Sequence, residues 1–291
     1  MKNQKTPLIL VSGYLGSGKT TLLKHILENS DKKIAVLMNE FGDIGIDTKT
    51  IRKQNINVKE ILEGCVCCSL EGEFEAAVKE IIKEYSPEII LLETTGIAEP
   101  DNIMISIGED LDFLKLDTVV TVVDADLMIR FPELSPTSKM QMEAADLMII
   151  NKIDLIDKKQ LSEVKNKVRE INEKAAMVES SFCKVDVDLL FGIEAEHHTG
   201  HRHHKHNHDM EHFSVQVSKD FNEEELEKVL KNLPKEIFRV KGFISIKGKL
   251  HLLNYVAGRW NFEAEEGEKK VVFIGENIKK YQEKLTRKFK S

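Results

Sequence analysis

The sequence predicts an α/β protein, in which a parallel sheet is covered by helices on both faces, followed by a small C-terminal α+β domain. Apolar runs of strand length recur through the first two thirds of the chain, and segments with helical spacing, such as Thr20–Leu27 and Glu73–Tyr85, lie between several of them. Continuously apolar strands are typical of parallel sheets that are buried on both faces. The apolar runs are Leu8–Val11, Ile34–Met38, Val58–Leu62, Ile89–Leu92, Val119–Val123 and Leu147–Ile150.

A histidine-rich linker separates the two predicted domains. Between Glu194 and His212 the apolar pattern stops, and eight of the ten histidines fall in this stretch. The pattern then changes to short alternating strands and two amphipathic helices. We therefore predict an α/β domain (1–190), a linker (191–212) and an α+β domain (213–291), with strands in the last domain at Phe213–Val217, Phe238–Ile246, Leu250–Val256 and Val271–Ile274.

Composition narrows the classes of function. The 291 residues are 41% hydrophobic and 31% charged, as in globular proteins, and no apolar run reaches the ~18 residues of a membrane-spanning helix. The net charge of −7 argues against nucleic acid as a partner. Three of the four cysteines are crowded at Cys65, Cys67 and Cys68, which indicates a metal-binding or reactive cluster in a reducing compartment. We expect a cytoplasmic protein with no membrane partner.

A phosphate-binding loop follows the first predicted strand. The segment Gly13-Tyr-Leu-Gly16-Ser17-Gly18-Lys19-Thr20-Thr21 fits the pattern G-x-x-x-x-G-K-[ST] between a strand and a helix. The glycines let backbone N–H groups approach a phosphate closely. Lys19 is expected to reach the β- and γ-phosphates, and the Thr20 hydroxyl to ligate Mg²⁺. The fold class is therefore predicted to be that of a P-loop NTPase.

A second motif selects the base of the nucleotide. The segment Asn151-Lys152-Ile-Asp154 directly follows the apolar run Leu147–Ile150. A carboxylate at such a strand end can accept hydrogen bonds from N1 and N2 of guanine, and adenine lacks this pair of donors. The motif therefore favours GTP over ATP.

A carboxylate and a glycine follow another apolar strand. Glu93 ends the run Ile89–Glu93, and Gly96 comes three residues later. We expect Glu93 to meet Mg²⁺ directly or through water, and the amide of Gly96 to contact the γ-phosphate.

The cysteine cluster is a candidate site for a transition metal. Cys65, Cys67 and Cys68 supply three soft donors within four residues, whereas a disulfide between adjacent cysteines is strained. Three thiolates leave the fourth tetrahedral position to another side chain, a water or a receiving protein. Such a site suits a metal that must leave again.

Five motifs in order along the chain resemble those of CobW-type GTPases, a family proposed to act as metallochaperones and insertases. Besides the phosphate loop, the cysteine cluster and Asn151–Asp154, they include Asn39-Glu40-Phe-Gly-Asp43-Ile-Gly-Ile-Asp47 and Glu93-Thr-Thr-Gly96-Ile-Ala-Glu-Pro100. The resemblance covers nearly the whole chain, including Arg239-Val-Lys-Gly-Phe243 in the second domain and the histidine-rich joint. It implies a GTPase that converts GTP and water to GDP and phosphate.

The resemblance also implies a metal cargo. In the family, the metal affinity of the Cys-x-Cys-Cys site depends on GTP and Mg²⁺. The resemblance therefore assigns Cys65, Cys67 and Cys68 to metal binding here, with Glu40 as a switch carboxylate near them. Thiolates favour Zn²⁺, and Co²⁺ or Ni²⁺ are the alternatives. A client metalloprotein is expected to dock through the C-terminal domain. Glu40 and Asp43 are the candidates for orienting the attacking water.

The linker histidines form a second candidate metal site. Imidazoles are largely neutral at cellular pH because their reference pKa is ~6.5, and neutral imidazole binds Zn²⁺, Co²⁺ and Ni²⁺. We expect a weak reservoir, with a solvated linker as the alternative. The histidines concerned are His201, His203, His204, His206 and His208.

Cys183, the remaining cysteine, is expected to belong to the core.

Two other functions are compatible with these motifs. A nucleotide-switched regulatory protein would use the cysteines as a redox sensor, and metal titration with and without GTP tests this alternative. An ATP-dependent small-molecule kinase would use the same phosphate loop, and competition between ATP and GTP tests that alternative.

Overall fold

The computed structural model describes residues 5–38, 56–60, 71–94, 111, 113–191, 210–265 and 267–290. The chain divides into two compact units, Met1–Glu173 with Glu179–Lys184, and Lys174–Val178 with Val185–Ser291. The domain limits drawn from the sequence remain a prediction, because the linker residues 192–209 lie outside the described ranges.

A seven-stranded sheet in the order β3-β2-β4-β1-β5-β6-β7 forms the centre of the α/β fold. The neighbouring pairs from β3 to β6 are all parallel, which confirms the predicted fold class. The strands are β1 (Thr6–Gly13), β2 (Ile34–Met38), β3 (Ile56–Glu60), β4 (Ile89–Glu93), β5 (Leu114–Asp124), β6 (Leu147–Asn151) and β7 (Ala176–Glu179).

The strands are buried because their sequences are apolar on both faces. Leu8, Leu10, Leu37, Ile90 and Leu92 belong to one continuous core cluster and are at most 1% exposed. The polar residues that end β1, β4, β5 and β6 consequently meet at the carboxyl edge of the sheet.

Local capping signals fix the helices that connect these strands. Asp157 begins α5 with a capping box, in which Gln160 N donates to Asp157 Oδ1 (2.8 Å) and Asp157 N donates to Gln160 Oε1 (2.9 Å). The helices are α1 (Lys19–Asn29), α2 (Glu71–Tyr85), α3 (Ala125–Arg130), α4 (Pro136–Glu143) and α5 (Lys158–Ile171), with a 3₁₀ turn at Ile153–Leu155.

The second sheet has the path β12-β11-β10-β13-β8, with antiparallel neighbours, and β9 pairs in parallel with β10. This arrangement with helices confirms the predicted α+β class. The elements are α6 (Asp188–Phe191), β8 (Met210–Gln216), β9 (Asp220–Phe221), α7 (Glu223–Lys231), β10 (Ile237–Ile246), β11 (Lys249–Val256), β12 (Arg259–Ala264), β13 (Lys270–Glu276), a 3₁₀ turn (Ile278–Tyr281) and α8 (Gln282–Lys290).

Aromatic contacts hold the core of this second sheet. Phe273 stacks on Phe213 with a centroid distance of 5.1 Å and meets Phe289 edge-on at 5.4 Å. Phe221 meets Phe289 at the same distance of 5.4 Å, so α8 is anchored against the sheet. No helix in the described part of the chain is long and apolar enough to span a membrane.

Candidate functional site

The phosphate loop between β1 and α1 requires glycine at three positions. Gly13, Gly16 and Gly18 have φ angles of 138°, 74° and 115°, a region that residues with a Cβ rarely adopt. A Cβ on Gly13 would lie 2.4 Å from the carbonyl oxygen of Val122 in β5. A Cβ on Gly18 would lie 2.5 Å from Nδ2 of Asn151. The loop is therefore packed tightly against the ends of β5 and β6.

The N-terminus of α1 faces the same loop. Within the described residues no side chain caps this helix, because its N-cap is Gly18. Uncapped N–H groups at a helix N-terminus form a site for anions. Thr20 is half-buried and Thr21 is exposed in the first turn of the helix.

Lys19 folds back over the loop that precedes it. Its side chain is 7% exposed, and Nζ donates to the carbonyl oxygens of Gly13 (2.9 Å) and Tyr14 (3.3 Å). Ser17 is fully buried, and its Oγ has no hydrogen-bond partner among the described residues. A buried hydroxyl in this state is a candidate contact for a ligand.

Glu93 lies beside the phosphate loop. It is the last residue of β4, and its register partner in β1 is Val11, two residues before Gly13. The side chain is half-buried, and the next residue, Thr94, donates its backbone N–H to Val11 O (3.0 Å). The sheet therefore brings a carboxylate to the edge where α1 begins.

Asn151 joins the phosphate loop to the segment that follows β7. Its Nδ2 donates to the carbonyl oxygen of Ser17 (2.8 Å), and its Oδ1 accepts the backbone N–H of Cys183 (2.9 Å). The Sγ–H of Cys183 in turn donates to Gly18 O (3.3 Å). Asn151 is 2% exposed, so its buried side-chain amide holds these two segments together.

Cys183 is buried, as expected from the sequence, but no sequence pattern indicated its contact with the phosphate loop. Burial raises the pKa of the thiol to about 12, with a smaller opposing effect from the charge of Lys152. The thiol is therefore protonated near neutral pH and remains a hydrogen-bond donor.

Lys152 and Asp154 form the turn after β6. Lys152 has a left-handed backbone (φ 62°), and its Nζ contacts Oδ2 of Asp124 at 2.6 Å. Asp154 is exposed, so its carboxylate is accessible to a ligand.

Asp124 contacts the candidate site through Lys152 and was not predicted from the sequence. It ends β5, is 9% exposed, and also caps α3 by accepting the backbone N–H of Leu127 at Oδ1 (3.0 Å). A carboxylate at the end of the apolar run Val119–Val123 was the available signal, since β5 lies between β1 and β6.

The remaining predicted site residues lie outside the described ranges. Within those ranges, no group of three or more His, Cys, Asp and Glu side chains could hold a metal ion. The residues outside are Glu40, Asp43, Asp47, Cys65, Cys67, Cys68, Gly96, His201, His203, His204, His206 and His208.

Comparison with known proteins identifies the family. A family model described as the CobW/HypB/UreG nucleotide-binding domain matches residues 7–179. The chain belongs to this family. A second model, described as the cobalamin synthesis protein cobW C-terminal domain, matches residues 210–291 of the same CobW-type chain. The resemblance inferred from the sequence motifs is thereby confirmed.

Relatives of this CobW-type chain carry metal-related names. The "Zinc chaperone CobW" of Pseudomonas aeruginosa is 32% identical over 294 residues, covering 84% of this chain and 78% of the relative. The "Zinc-regulated GTPase metalloprotein activator 1" of Saccharomyces cerevisiae is 33% identical over 225 residues, covering 67% of this chain and 52% of the relative. The chain thus matches about half the length of the yeast protein.

A solved structure shares the fold of this CobW-type chain. The Zn(II)-bound YjiA GTPase from E. coli has a TM-score of 0.50 and 24% identity, and the match covers 98% of both chains. The likeness shows that the two chains have a common fold.

Proposed function

We propose that this protein is a GTP-hydrolysing metallochaperone that binds zinc at the Cys-x-Cys-Cys loop and delivers it to a client metalloprotein. The observation that supports the nucleotide part is the hydrogen bond from Asn151 Nδ2 to Ser17 O (2.8 Å), because it joins the phosphate loop to the segment Asn151–Asp154, to which we assign recognition of the base. The names of the bacterial and yeast relatives support zinc as the metal.

The nucleotide binds across the carboxyl edge of the parallel sheet. Its phosphates accept hydrogen bonds from the loop Gly13–Gly18 and from the uncapped N-terminus of α1. Lys19 exchanges the two carbonyl oxygens that it contacts for the β- and γ-phosphate oxygens. Because the side chain of Lys19 is already held over the loop, it loses little conformational freedom when the phosphates bind.

Thr20 and Glu93 fit a magnesium site. A hydroxyl and a carboxylate are the hard oxygen donors that Mg²⁺ prefers, and both belong to elements that meet beside the phosphate loop. Bound there, Mg²⁺ would supply positive charge that offsets the negative charge of the phosphates. Thr20 and Glu93 would hold the ion, and Lys19 stabilises the charge that develops on the transferred phosphoryl group.

The zinc cargo binds to Cys65, Cys67 and Cys68, with Glu40 as the switch carboxylate. GTP orders the switch and closes the thiolate site, and hydrolysis loosens it so that the metal is released. The histidine linker holds further metal weakly, and the C-terminal α+β unit docks the client. Co²⁺ and Ni²⁺ are the alternative metals on donor chemistry.

Nucleotide competition tests the first step of this proposal. Purified protein is expected to bind GTP more tightly than ATP, and Asp154→Asn is expected to reduce this preference, because an amide cannot accept both guanine hydrogens. ATP outcompeting GTP would favour the kinase alternative. Unchanged discrimination in Asp154→Asn would require another base-reading segment.

A further inference from the structure

Phe182 projects into solvent from the loop that follows β7. Its side chain is 65% exposed, and its backbone is left-handed with a φ of 57°. The next residue, Cys183, is also left-handed with a φ of 52°. Two consecutive non-glycine residues in this conformation are unfavourable, and such strain concentrates at ligand-binding positions.

Hydrogen bonds hold this strained loop against the turn that contains Asp154. Ser180 N donates to Ile150 O (2.8 Å), and Ile153 N donates to Ser180 O (3.3 Å). On the other side of Phe182, Cys183 N donates to Asn151 Oδ1 (2.9 Å). Phe182 is thus flanked on both sides by residues that are bonded to the segment Ile150–Ile153.

Folding does not account for a phenyl ring at position 182. A large apolar side chain in water contributes nothing to the stability of the fold. The loop is anchored by the buried thiol of the neighbouring Cys183, which does not require an aromatic residue at position 182. An exposed, flat, apolar ring on a loop that is hydrogen-bonded to the turn of an accessible carboxylate, Asp154, matches a purine, which offers a π-face and a polar edge.

We propose that Phe182 stacks on the purine base of the bound nucleotide, while Asp154 reads the edge of that base. This inference rests on the proposed nucleotide function, because the ligand is the guanine of the same site. The hydrogen bonds on both sides of Phe182 hold its backbone in place before the nucleotide arrives, which reduces the loss of backbone freedom on binding.

Equilibrium titration with GDP and with IDP tests the stacking. Phe182→Ala is expected to weaken both nucleotides by the same factor, about fivefold to a hundredfold, because stacking uses the face of the base and not its 2-amino group. Phe182→Tyr is expected to bind as the unchanged protein does. Phe113→Ala is the matched control, because Phe113 is a partly buried phenylalanine that directly precedes β5, at the opposite edge of the sheet from the candidate site, and is expected to have no effect on nucleotide affinity.

An introduced indole gives a second readout. The chain has a single tryptophan, Trp260, so Phe182→Trp adds a reporter whose fluorescence GDP is expected to quench. Normal GDP affinity in Phe182→Ala, or no change in fluorescence with Phe182→Trp, overturns the stacking and leaves the proposed function intact. Failure of the unchanged protein to bind any guanine nucleotide overturns both.

Discussion

Asp124 and Lys152 form a close ion pair that links the end of β5 to the turn that contains Asp154, with 2.6 Å between Oδ2 and Nζ. The carboxylate of Asp124 also caps the N-terminus of α3, so the same side chain contacts both this helix and Lys152. Lys152 itself has a left-handed backbone, with a φ of 62°.

Asp124→Asn is expected to weaken GTP binding by about fivefold, equivalent to about 1 kcal/mol, because Lys152 loses its charged partner. Stability is expected to change little, since asparagine caps helices as well as aspartate does. The Kd for GTP and the free energy of unfolding are the measurements.

The matched control for this prediction is Asp126→Asn. Asp126 lies two residues away and bonds Arg130 within the same helix at 2.9 Å. Equal effects of the two substitutions on GTP affinity would show that the contact with Lys152 has no special role.

Lys19→Ala is expected to lower the rate of GTP hydrolysis by more than about a hundredfold at every metal concentration. The change removes the ammonium that would stabilise charge on the transferred phosphoryl group. Phosphate release from purified protein is the measurement, and Lys24→Ala in the same helix is the control. Retained turnover in Lys19→Ala would contradict the assignment of the phosphate loop.

The buried thiol of Cys183 predicts a pH dependence of stability. Its pKa is raised from 9.0 to about 12 in the folded protein, so the folded state keeps a proton that the unfolded state has lost. This contribution is fully present below about pH 9 and is lost as the pH rises towards 12.

Cys183→Ser, which keeps a donor but does not titrate in this range, is therefore expected to lose stability less steeply above pH 9. The difference in the free energy of unfolding between pH 8 and pH 10 is expected to be smaller than in the unchanged protein by about 1 kcal/mol. Urea unfolding at both values measures it. Parallel pH profiles would show that Cys183 ionises normally in the folded protein.

Deleting residues 197–208 is expected to lower the total zinc capacity while one tight site and GTP hydrolysis remain. A linker must be ordered when it binds metal, at a cost of about 1–2 kcal/mol per residue, so its affinity is lower. Zinc bound by the linker is expected to be released between about pH 7 and pH 5.5, as the imidazoles become protonated. Loss of the tight site in the deletion variant would instead assign the delivered metal to the histidines.

Local signals explain why so much of the fold followed from the sequence. Gly13, Gly18 and Lys19 lie within one short segment, and the strand, loop and helix around them are recognisable without tertiary information. The alternation of apolar runs and helices also predicted the parallel sheet. Edge strand β12 was missed, because three of its six residues are exposed, the other three are only partly buried, and it lacks a continuous apolar run.

The parts of the site that the sequence did not reveal depend on long-range contacts. Cys183 and Gly18 are 165 positions apart, and no pattern near either residue indicates that a thiol meets the phosphate loop. Asp124 and Lys152 are 28 positions apart, one at the end of β5 and the other directly after β6, and these strands pair only in the folded sheet. The left-handed backbone at Phe182 likewise has no local signature, since glycine or asparagine usually marks that conformation.

Zinc titration in the presence of a slowly hydrolysed GTP analogue or of GDP measures whether the nucleotide controls zinc binding. We expect one zinc per chain to bind more tightly with the GTP analogue than with GDP. This site is expected to be lost in Cys67→Ser and retained in the control Cys183→Ser. Zinc affinity that is the same with both nucleotides, or a tight site that survives in Cys67→Ser, would contradict a GTP-dependent zinc carrier.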